Sequence, residues 1–357
     1  MPHILIAGGG VAAVEAVAAL RALSGPDPRI TLLAPQPRFS QRPASVATPF
    51  GYGAPPQLPL DVLAHRAAFD LRIGKLVDVE PGDRIAITDW GEPIPYDYLL
   101  VAVGARVQAA VEGAITFTGH ADAAAVEVAV AEYDRLAFVQ PFAQGWSLPV
   151  YELALMAAAQ RPDARITVVT AEPEPLAAFG DAAGEAVRAL LKGRGIDLRA
   201  GVQAVEARPG SLVLEDGSTI AIGKAIALPR LTGPAIHGLP HDADGFIPVD
   251  QYGEVVTDVF AAGDGANHAL KQGGLASQQA DAAASMIASR LGAAIEPEPY
   301  RPVLRARLMT GGEPLYLRDG EVSHRPLWSP PGKLAGRHLA PLLATARPPA
   351  LTELQDT

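Results

Sequence analysis

The sequence predicts an α/β fold built on open parallel sheets, and three observations lead to that prediction. A short apolar run at residues 3–7 is followed at once by three glycines and then by an apolar helix. A second apolar run, residues 259–262, ends in a glycine and Asp264 ahead of another helix of small residues. Strand-like and helix-like segments alternate between them. Continuous apolar strands alternating with helices are typical of a parallel sheet that is covered on both faces.

The first unit carries a G-x-G-x-x-A pattern. Gly8 permits the turn, Gly10 lets a pyrophosphate approach the backbone, and Ala13 allows tight packing of helix on sheet. A strand precedes the glycines, a helix follows them, and a second strand is predicted at residues 29–34. This context indicates a dinucleotide-binding unit. The acidic residue that usually follows the second strand is missing, and Gln36 is the nearest polar substitute for a ribose contact.

The glycine-rich turn after residue 262 predicts a second part of the same binding site. Asp264 ends a strand at the edge where open parallel sheets bind ligands. Gly273 and Gly274 begin a helix whose free N–H groups favour negative charge. A carboxylate that accepts hydroxyl hydrogen bonds, beside a helix start that stabilises an anion, suits a sugar-linked ring that becomes anionic on reduction. A flavin fits that description.

Two connecting segments are predicted to lie along the bound molecule. Residues 38–59 are rich in proline and glycine and are predicted to be a long irregular loop, in which Arg42 is either a cofactor contact or a solvated charge. A small β-meander is predicted within residues 71–94. The apolar strand at residues 96–105 is predicted to return to the first sheet, with Gly104 near the cofactor.

A second α/β unit is predicted within residues 122–222, but its glycine loop is degenerate. Where a glycine fingerprint is expected, residues 140–149 contain Phe142 and Trp146, which would obstruct a pyrophosphate, and two prolines, which lack N–H donors. Two interpretations remain open. The unit is a relic that shapes a pocket, or it binds a nicotinamide nucleotide in a modified way with Glu172 on the ribose.

These elements predict an α/β protein with two Rossmann-like (three-layer ββα) dinucleotide-binding domains, the second inserted in the first, plus a small C-terminal subdomain. The predicted boundaries are 1–112 with 245–296 for the first domain, 113–244 for the second and 297–357 for the subdomain. Two short strands are predicted in that subdomain, at residues 304–310 and 314–318.

Residues 333–345 carry basic side chains among leucines and predict a basic amphipathic helix. Such a helix lies on a membrane surface, docks on its own protein, or docks on a second subunit in a homodimer.

Composition narrows the function classes. The net charge is −10 and no dense Lys/Arg stripe is present, so nucleic acid is not predicted as a partner. The 357 residues contain no cysteine, which excludes thiolate catalysis, disulfide exchange and cysteine-held metal or iron–sulfur centres. No metal site is predicted.

With neither a membrane span nor a signal-peptide pattern, we predict a cytoplasmic location, with peripheral binding to the inner face of the membrane as a variant.

Several motifs, taken in order, resemble a known family. They are Gly8-Gly9-Gly10, residues 96–104, Tyr151-Glu152-Leu153-Ala154, Ala262-Gly263-Asp264 and Lys271-Gln272-Gly273-Gly274. Over about residues 1–300 the chain looks like the two-domain FAD-dependent pyridine nucleotide oxidoreductases. The most similar branches are the type II NADH:quinone oxidoreductases and the sulfide:quinone oxidoreductases.

The resemblance implies non-covalent FAD and assigns residues to it. Gly8, Gly10 and Ala12 would hold the pyrophosphate. Asp264 would bind the ribityl chain or pyrophosphate, and residues 272–275 would place N–H groups at the flavin pyrimidine edge. The complete implied set of cofactor-binding residues is Gly8, Gly10, Val11, Ala12, Gln36, Arg42, Pro43, Val77, Ala102, Gly104, Gly263, Asp264, Gln272, Gly273 and Leu275.

Three residues are candidates for catalysis. Glu152 either relays protons beside the flavin, as the resemblance implies, or is a carboxylate stabilised by a helix start. Lys271 either stabilises negative charge on the reduced ring or is a solvated loop lysine. His268 is either a proton donor or a loop histidine.

The predicted function is that of an oxidoreductase that takes electrons from NAD(P)H or another small donor, through FAD, to a quinone-like acceptor. The chain lacks the features that the resembling enzymes use for their two familiar electron donors, sulfide and NAD(P)H. It has no cysteine, which sulfide oxidation requires, and its nicotinamide-binding glycine loop is eroded. The alternatives are a redox-sensing flavoprotein with little turnover and an electron-transfer subunit reduced by a partner protein, neither of which uses NAD(P)H.

Overall fold

The computed structural model describes residues 1–25, 27–55, 57–143, 145–334 and 336–346. Part of the predicted C-terminal subdomain, residues 347–357, therefore lies outside the described residues.

Strands and helices alternate along most of the chain, with three 3-10 helices between them. The first part contains β1 (His3–Ala7), α1 (Val11–Ser24), β2 (Arg29–Ala34), β3 (Arg38–Ser40), a 3-10 helix (Arg42–Phe50), β4 (Gln57–Pro59), α2 (Leu60–Ala67), β5 (Asp70–Ile73), β6 (Leu76–Glu80), β7 (Ile85–Thr88), β8 (Pro93–Pro95) and β9 (Tyr98–Val101). The middle part contains β10 (Arg106–Gln108), β11 (Ile115–Thr116), a 3-10 helix (His120–Asp122), α3 (Ala123–Glu132), β12 (Arg135–Gln140), α4 (Leu148–Gln160), β13 (Arg165–Thr170), a 3-10 helix (Ala177–Phe179), α5 (Asp181–Gly193), β14 (Asp197–Ala200), β15 (Ala204–Arg208), β16 (Ser211–Leu214), β17 (Thr219–Ala221), β18 (Lys224–Ala227) and β19 (Arg230–Thr232). The last part contains β20 (Glu254–Val256), β21 (Val259–Ala261), α6 (Gly273–Arg290), β22 (Arg305–Leu308), β23 (Leu315–Arg318), β24 (Glu321–Ser323) and α7 (Leu339–Ala346).

The first sheet has six strands in the order β20-β21-β9-β1-β2-β5, and all its pairings except that of β20 with β21 are parallel. Because β1 is central and covered on both faces, its residues 4–7 are all buried, which explains the uninterrupted apolar run. Helices α1 and α6 pack together on one face of this sheet. Their contact is built from small residues such as Ala12, Ala13, Ala280 and Ala283, all buried, so the two backbones approach closely.

The second sheet has five parallel strands in the order β11-β18-β12-β13-β14. It is formed by the chain between β9 and β20 of the first sheet, so the second Rossmann-like domain is inserted in the first, as predicted. The chain leaves through β10 and returns through β19, and these two strands pair antiparallel. The positions of the domain boundaries themselves stay a prediction.

Three local predictions are corrected. The expected meander within residues 71–94 is divided at Gly74, because β5 joins the first sheet while β6, β7 and β8 form a separate antiparallel sheet. The expected irregular loop 38–59 contains the paired strands β3 and β4 around a 3-10 helix. The C-terminal subdomain contains a third strand, β24, beside the two that were predicted.

The predicted helix 333–345 is shorter than expected, because α7 begins only at Leu339. Leu339 and Leu343 are buried against α1 and α2. Of the three interpretations, the contacts agree with docking on the protein's own first domain. Among the described residues, none of the helices combines the length and apolar character that a bilayer span requires.

Candidate functional site

A cleft of about 1300 Å³ opens where β1, β9 and β21 end, between the two Rossmann-like sheets. Ordinary ligand pockets measure roughly 300–1,000 Å³, so this cleft has room for a dinucleotide and a further small molecule. The C-terminal subdomain supplies part of the wall through β22 and Lys333.

The glycine turn after β1 leaves a bare helix start facing the cleft. Gly8 has φ of +133°, and a Cβ there would lie 2.1 Å from the Ala102 carbonyl oxygen, so only glycine fits. A Cβ on Gly10 would meet nothing within 4 Å, because Gly10 borders open space. No side chain caps α1, and its first turn holds no acidic residue. The exposed N–H groups and the helix dipole therefore suit a phosphate.

Asp264 faces the same space from the end of β21. Its side chain makes no hydrogen bond or ion pair with any described residue. Burial raises the pKa of this carboxyl, and the positive charges of Lys271 and Arg42 oppose that rise. An unpartnered carboxylate at the floor of a cleft is suited to accepting hydrogen bonds from ligand hydroxyls.

The start of α6 differs in one respect from the sequence prediction. The Gln272 side chain caps the helix, and its Oε1 accepts the N–H of Leu275 at 2.9 Å. The Leu275 side chain is 2% exposed and Leu275 is not part of the cleft wall, and its role as a cofactor contact stays a prediction. Gly273 remains in the wall. The other predicted cofactor-binding residues also line the cleft, and their roles as contacts stay predictions.

Lys271 and His268 both border the cleft, in a largely buried environment. The Lys271 ammonium donates to the Ala266 carbonyl and lies 3.9 Å from the centroid of the Phe246 ring. Burial lowers the pKa of Lys271 to about 8, although Asp264 opposes the shift. Burial and the charge of Lys271 lower the pKa of His268, whose ring lies 4.9 Å from that of Tyr300.

Glu152 is held by groups that lie far away in the sequence. Both of its carboxylate oxygens lie 2.6 Å from the Lys333 Nζ, and Oε1 also accepts the Met309 N–H at 2.8 Å. Glu152 lies in the second turn of α4, not at its start, so the ion pair replaces the predicted helix-start stabilisation. Burial raises the pKa of Glu152 and lowers that of Lys333, which brings the proton affinities of the two groups closer together.

Sequence reasoning missed Lys333 as a site residue. It was assigned to the amphipathic helix, but it precedes α7 and its side chain is only 12% exposed. Arg305 and Arg307 of β22 were also missed, and both line the cleft. The only signal in the sequence was their alternation along a predicted strand, which places two arginines on one face.

The acid that follows the degenerate loop of the second domain is bound by side chains of the same domain. Glu172 accepts hydrogen bonds from Ser147 at 2.9 Å and Tyr151 at 2.8 Å, and it is 4% exposed. Burial raises the pKa of both Glu172 and Tyr151. Trp146 packs against Phe179 with ring centroids 5.8 Å apart. The prediction of Glu172 as a ribose ligand is corrected, because its carboxylate is turned inward and already partnered.

Two Rossmann-like sheets, with a bare glycine turn and an unpartnered carboxylate at the edge of the first, define a two-domain dinucleotide-binding oxidoreductase. The chain belongs to the pyridine nucleotide-disulphide oxidoreductase family, whose pattern matches residues 2–284. The family is one of oxidoreductases. The redox disulphide in the family's name has no counterpart here, since the 357 residues contain no cysteine.

Known proteins agree with this fold. The chain is 27% identical over 258 residues to a sulfide-quinone reductase of Aquifex aeolicus (strain VF5), a match that spans 66% of this chain and 60% of that relative. The crystal structure of the sulfide:quinone oxidoreductase from Aquifex aeolicus superposes with a TM-score of 0.81, at 22% identity and over 89% of this chain and 83% of that one. A ferredoxin reductase from Rhodopseudomonas palustris gives a TM-score of 0.70, at 21% identity and with 88% and 82% covered.

Proposed function

We propose that this oxidoreductase holds FAD without a covalent bond and passes electrons from a small donor other than NAD(P)H to a quinone-like acceptor. One observation carries the proposal. A single cleft joins the phosphate-binding helix start to an apolar wall of Phe117, Trp146 and Leu148, which belong to the second domain. A flat apolar ring fits beside such a wall. Because the sequence contains no cysteine, FAD has no thioether attachment to this chain.

Bound FAD supplies reversible two-electron chemistry, and the chain positions it. Under this proposal the start of α1 binds the pyrophosphate, while Asp264 accepts hydrogen bonds from sugar or ribityl hydroxyls. Lys271 holds a positive charge beside the site below about pH 8. The Lys333 ammonium donates to Glu152 over 2.6 Å, in a place shielded from water. That arrangement supports a proton relay at the Glu152 carboxylate.

The closed second loop supports a donor other than NAD(P)H. A nicotinamide nucleotide bound in the usual manner would need backbone N–H groups at that loop and a free acid for the ribose. Here Glu172 is occupied by Ser147 and Tyr151. The same observation favours a second candidate function, a redox-sensing or electron-transfer flavoprotein that turns over slowly.

Anaerobic stopped-flow spectroscopy tests the proposal and separates the two candidates. With the purified yellow protein, we expect slow bleaching of the flavin at millimolar NADH or NADPH. After photoreduction, we expect fast reoxidation by the water-soluble quinone menadione. Fast bleaching by either nucleotide would overturn the proposed donor class. Slow reoxidation by menadione would favour the sensing role, and a protein without flavin would end the proposal.

The location and the assembly stay predictions. Some leucines of α7 that would face a membrane or a second subunit pack into the protein's own core, where Leu339 is fully buried. Homodimer formation and peripheral membrane contact are therefore proposed only for other surfaces of the molecule.

A further inference from the structure

Two arginines of the C-terminal subdomain border the cleft without a side-chain hydrogen bond or salt bridge to any described residue. Arg305 and Arg307 alternate with buried residues along β22, so both side chains lie on the face that borders the cleft. Their Nε atoms are shielded from solvent and have no hydrogen-bond partner among the described residues. Neither side chain takes part in an ion pair within that part of the chain.

Other buried cations of this region are matched. Lys333 is bound by Glu152, and Arg194 donates to the carbonyl oxygens of Leu155 and Thr310. Arg305 and Arg307 are only half-buried, and the Arg307 guanidinium lies 6.0 Å from the centroid of the Tyr316 ring. Their shielded Nε groups still lack an acceptor, which is unfavourable because burial removes the water that would otherwise solvate them. The contrast indicates that the partner of Arg305 and Arg307 comes from outside the chain.

We propose that Arg305 and Arg307 form the subsite for an anionic group, a carboxylate or comparable oxyanion, on the small substrate that enters the cleft. A guanidinium group binds such an anion with two parallel hydrogen bonds, and it is more weakly hydrated than an ammonium group. This inference rests on the proposed function, because it places that substrate in the cleft that holds FAD.

The position of β22 separates this subsite from the phosphates of FAD. The backbone of β22 is tied to the start of α6, where the Gln272 Nε2 donates to the Arg305 carbonyl at 2.9 Å. The chain just beyond β22 is tied to α4, where Glu152 accepts the Met309 N–H. The predicted pyrophosphate site lies instead at the turn after β1, which is bounded by Ala102.

The electrostatics of the cleft agree with an anionic ligand. Its wall carries nine Lys or Arg side chains and three carboxylates, although the whole chain has a net charge of −10. Glu152 forms a salt bridge with Lys333, and the charge of the nearby Arg307 also acts on it, so one carboxylate faces two cations at this end of the cleft. A cleft lined by one sign of charge concentrates ligands of the other sign.

Binding of benzoate to the holoprotein tests the proposal, with benzamide as the neutral analogue of equal shape. Isothermal calorimetry measures affinity, and flavin absorbance is recorded in the same samples. We expect benzoate to bind at least about tenfold more tightly than benzamide, because a charge-assisted pair is lost in the amide. We expect Arg307→Gln and Arg305→Gln each to weaken benzoate about tenfold or more and to leave benzamide unchanged.

Two further variants keep the test decisive. Arg325→Gln removes an exposed arginine of the same subdomain and should bind benzoate as the unaltered protein does. Arg307→Lys keeps the charge without the planar fork and should bind with intermediate affinity, even if a glutamine variant fails to fold. Equal binding of benzoate and benzamide, or glutamine variants that bind benzoate normally, would overturn the proposal.

Loss of FAD from the arginine variants, with benzoate affinity retained, would also overturn it by assigning the arginines to the cofactor. Failure of the proposed function has a different signature. In that case menadione does not reoxidise the reduced flavin, whereas calorimetry still shows the arginine-dependent preference for benzoate.

Discussion

At the scale of single residues, two glycines of the first turn serve different purposes. A Cβ at Gly8 would collide with the Ala102 carbonyl, whereas a Cβ at Gly10 would project into open cleft. The first position is therefore required by the fold, and the second is required by whatever approaches the backbone there.

This difference makes a matched pair of variants. The free energy of unfolding of Gly10→Ala should lie within about 1 kcal/mol of that of the unaltered protein. The variant should nevertheless lose FAD, because its added methyl group occupies the place of the phosphate. Gly8→Ala should lose about 1–3 kcal/mol or more of folding free energy, because φ of +133° is strained for alanine and the backbone must move. Denaturant unfolding and the ratio of flavin to protein absorbance measure both effects. A stable, flavin-bound Gly10→Ala protein would contradict the assignment.

The Glu152–Lys333 pair makes a second prediction at this scale. Glu152→Gln leaves a buried ammonium group unpaired and should cost about 3–5 kcal/mol of folding free energy. The double variant Glu152→Gln with Lys333→Met removes both charges and should cost clearly less than the sum of the single variants. Urea unfolding provides the measurement. As the matched control, Glu174→Gln breaks the exposed pair with Arg188 and should cost at most about 1 kcal/mol. Additive single effects at positions 152 and 333 would show that the pair is not coupled.

Some of these site residues could be predicted from the sequence, and others could not. Gly8, Gly10 and Asp264 were predicted because each belongs to a short local pattern with a fixed position after a strand. Lys333 was not predicted, because nothing in its neighbouring residues ties it to a carboxylate 181 positions earlier. Glu172 was misassigned because its position after β13 is that of a ribose ligand, and only the fold shows Ser147 and Tyr151 on its oxygens.

At the scale of elements, α7 is held by a cluster of titratable groups from α1, from α6 and from the residues just before α7. The Glu15 carboxylate of α1 is fully buried and accepts the backbone N–H groups of His338 and Leu339. Asp281 of α6 lies against Glu15, and its Oδ1 is 4.0 Å from the His338 ring. Burial and the charge of Glu15 raise the pKa of Asp281 to about 8, although Arg337 opposes the shift.

That cluster predicts a pH-dependent stability. The pKa of Asp281 rises from 3.8 to about 8 on folding, so between these values the folded state keeps a proton that the unfolded state has released. The stability that Asp281 contributes is therefore fully present below about pH 4 and is lost as the pH rises to about 8. We expect Asp281→Asn to lose this part of the pH dependence and to unfold at a higher temperature than the unaltered protein at pH 8. Thermal melts between pH 5 and 9 measure it, and identical pH profiles of the two proteins would contradict it.

Most elements of the two sheets could be predicted, because parallel strands and their helices have strong periodic signals. The strand Arg165–Thr170 and the helix Asp181–Gly193 lie within the second α/β unit that was predicted at residues 122–222. Short antiparallel strands were less predictable. Residues 71–94 were predicted as one meander, yet a break at Gly74 places β5 and β6 in different sheets, a choice made by tertiary packing and not by propensity.

At the scale of the whole molecule, the cleft has the opposite sign of charge to the chain that surrounds it. An acidic surface with a basic cleft repels anions in general and concentrates them at one place. This arrangement is invisible in the composition, because the nine basic residues of the wall come from all parts of the sequence. Only the fold brings them together.

The charge distribution predicts a dependence on ionic strength. Since the Debye length falls from about 30 Å at 0.01 M salt to about 8 Å at 0.15 M, the affinity for benzoate should fall several-fold over that range. The rate of reoxidation by menadione, which is neutral, should change little. Calorimetry and stopped-flow spectroscopy at constant pH measure the two quantities. A benzoate affinity that is independent of salt would contradict the predicted role of the cleft charges.

The contact between Glu152 and Lys333 can form only late in translation of the chain. A ribosome that adds about 5–20 residues per second needs on the order of 10–40 s to travel the 181 positions between them. During that interval the nascent polypeptide already contains the glycine turn, yet one side of the cleft stands open to water. Stable uptake of the flavin is thus expected only after β22 and Lys333 have emerged, and not on the folding of the first sheet.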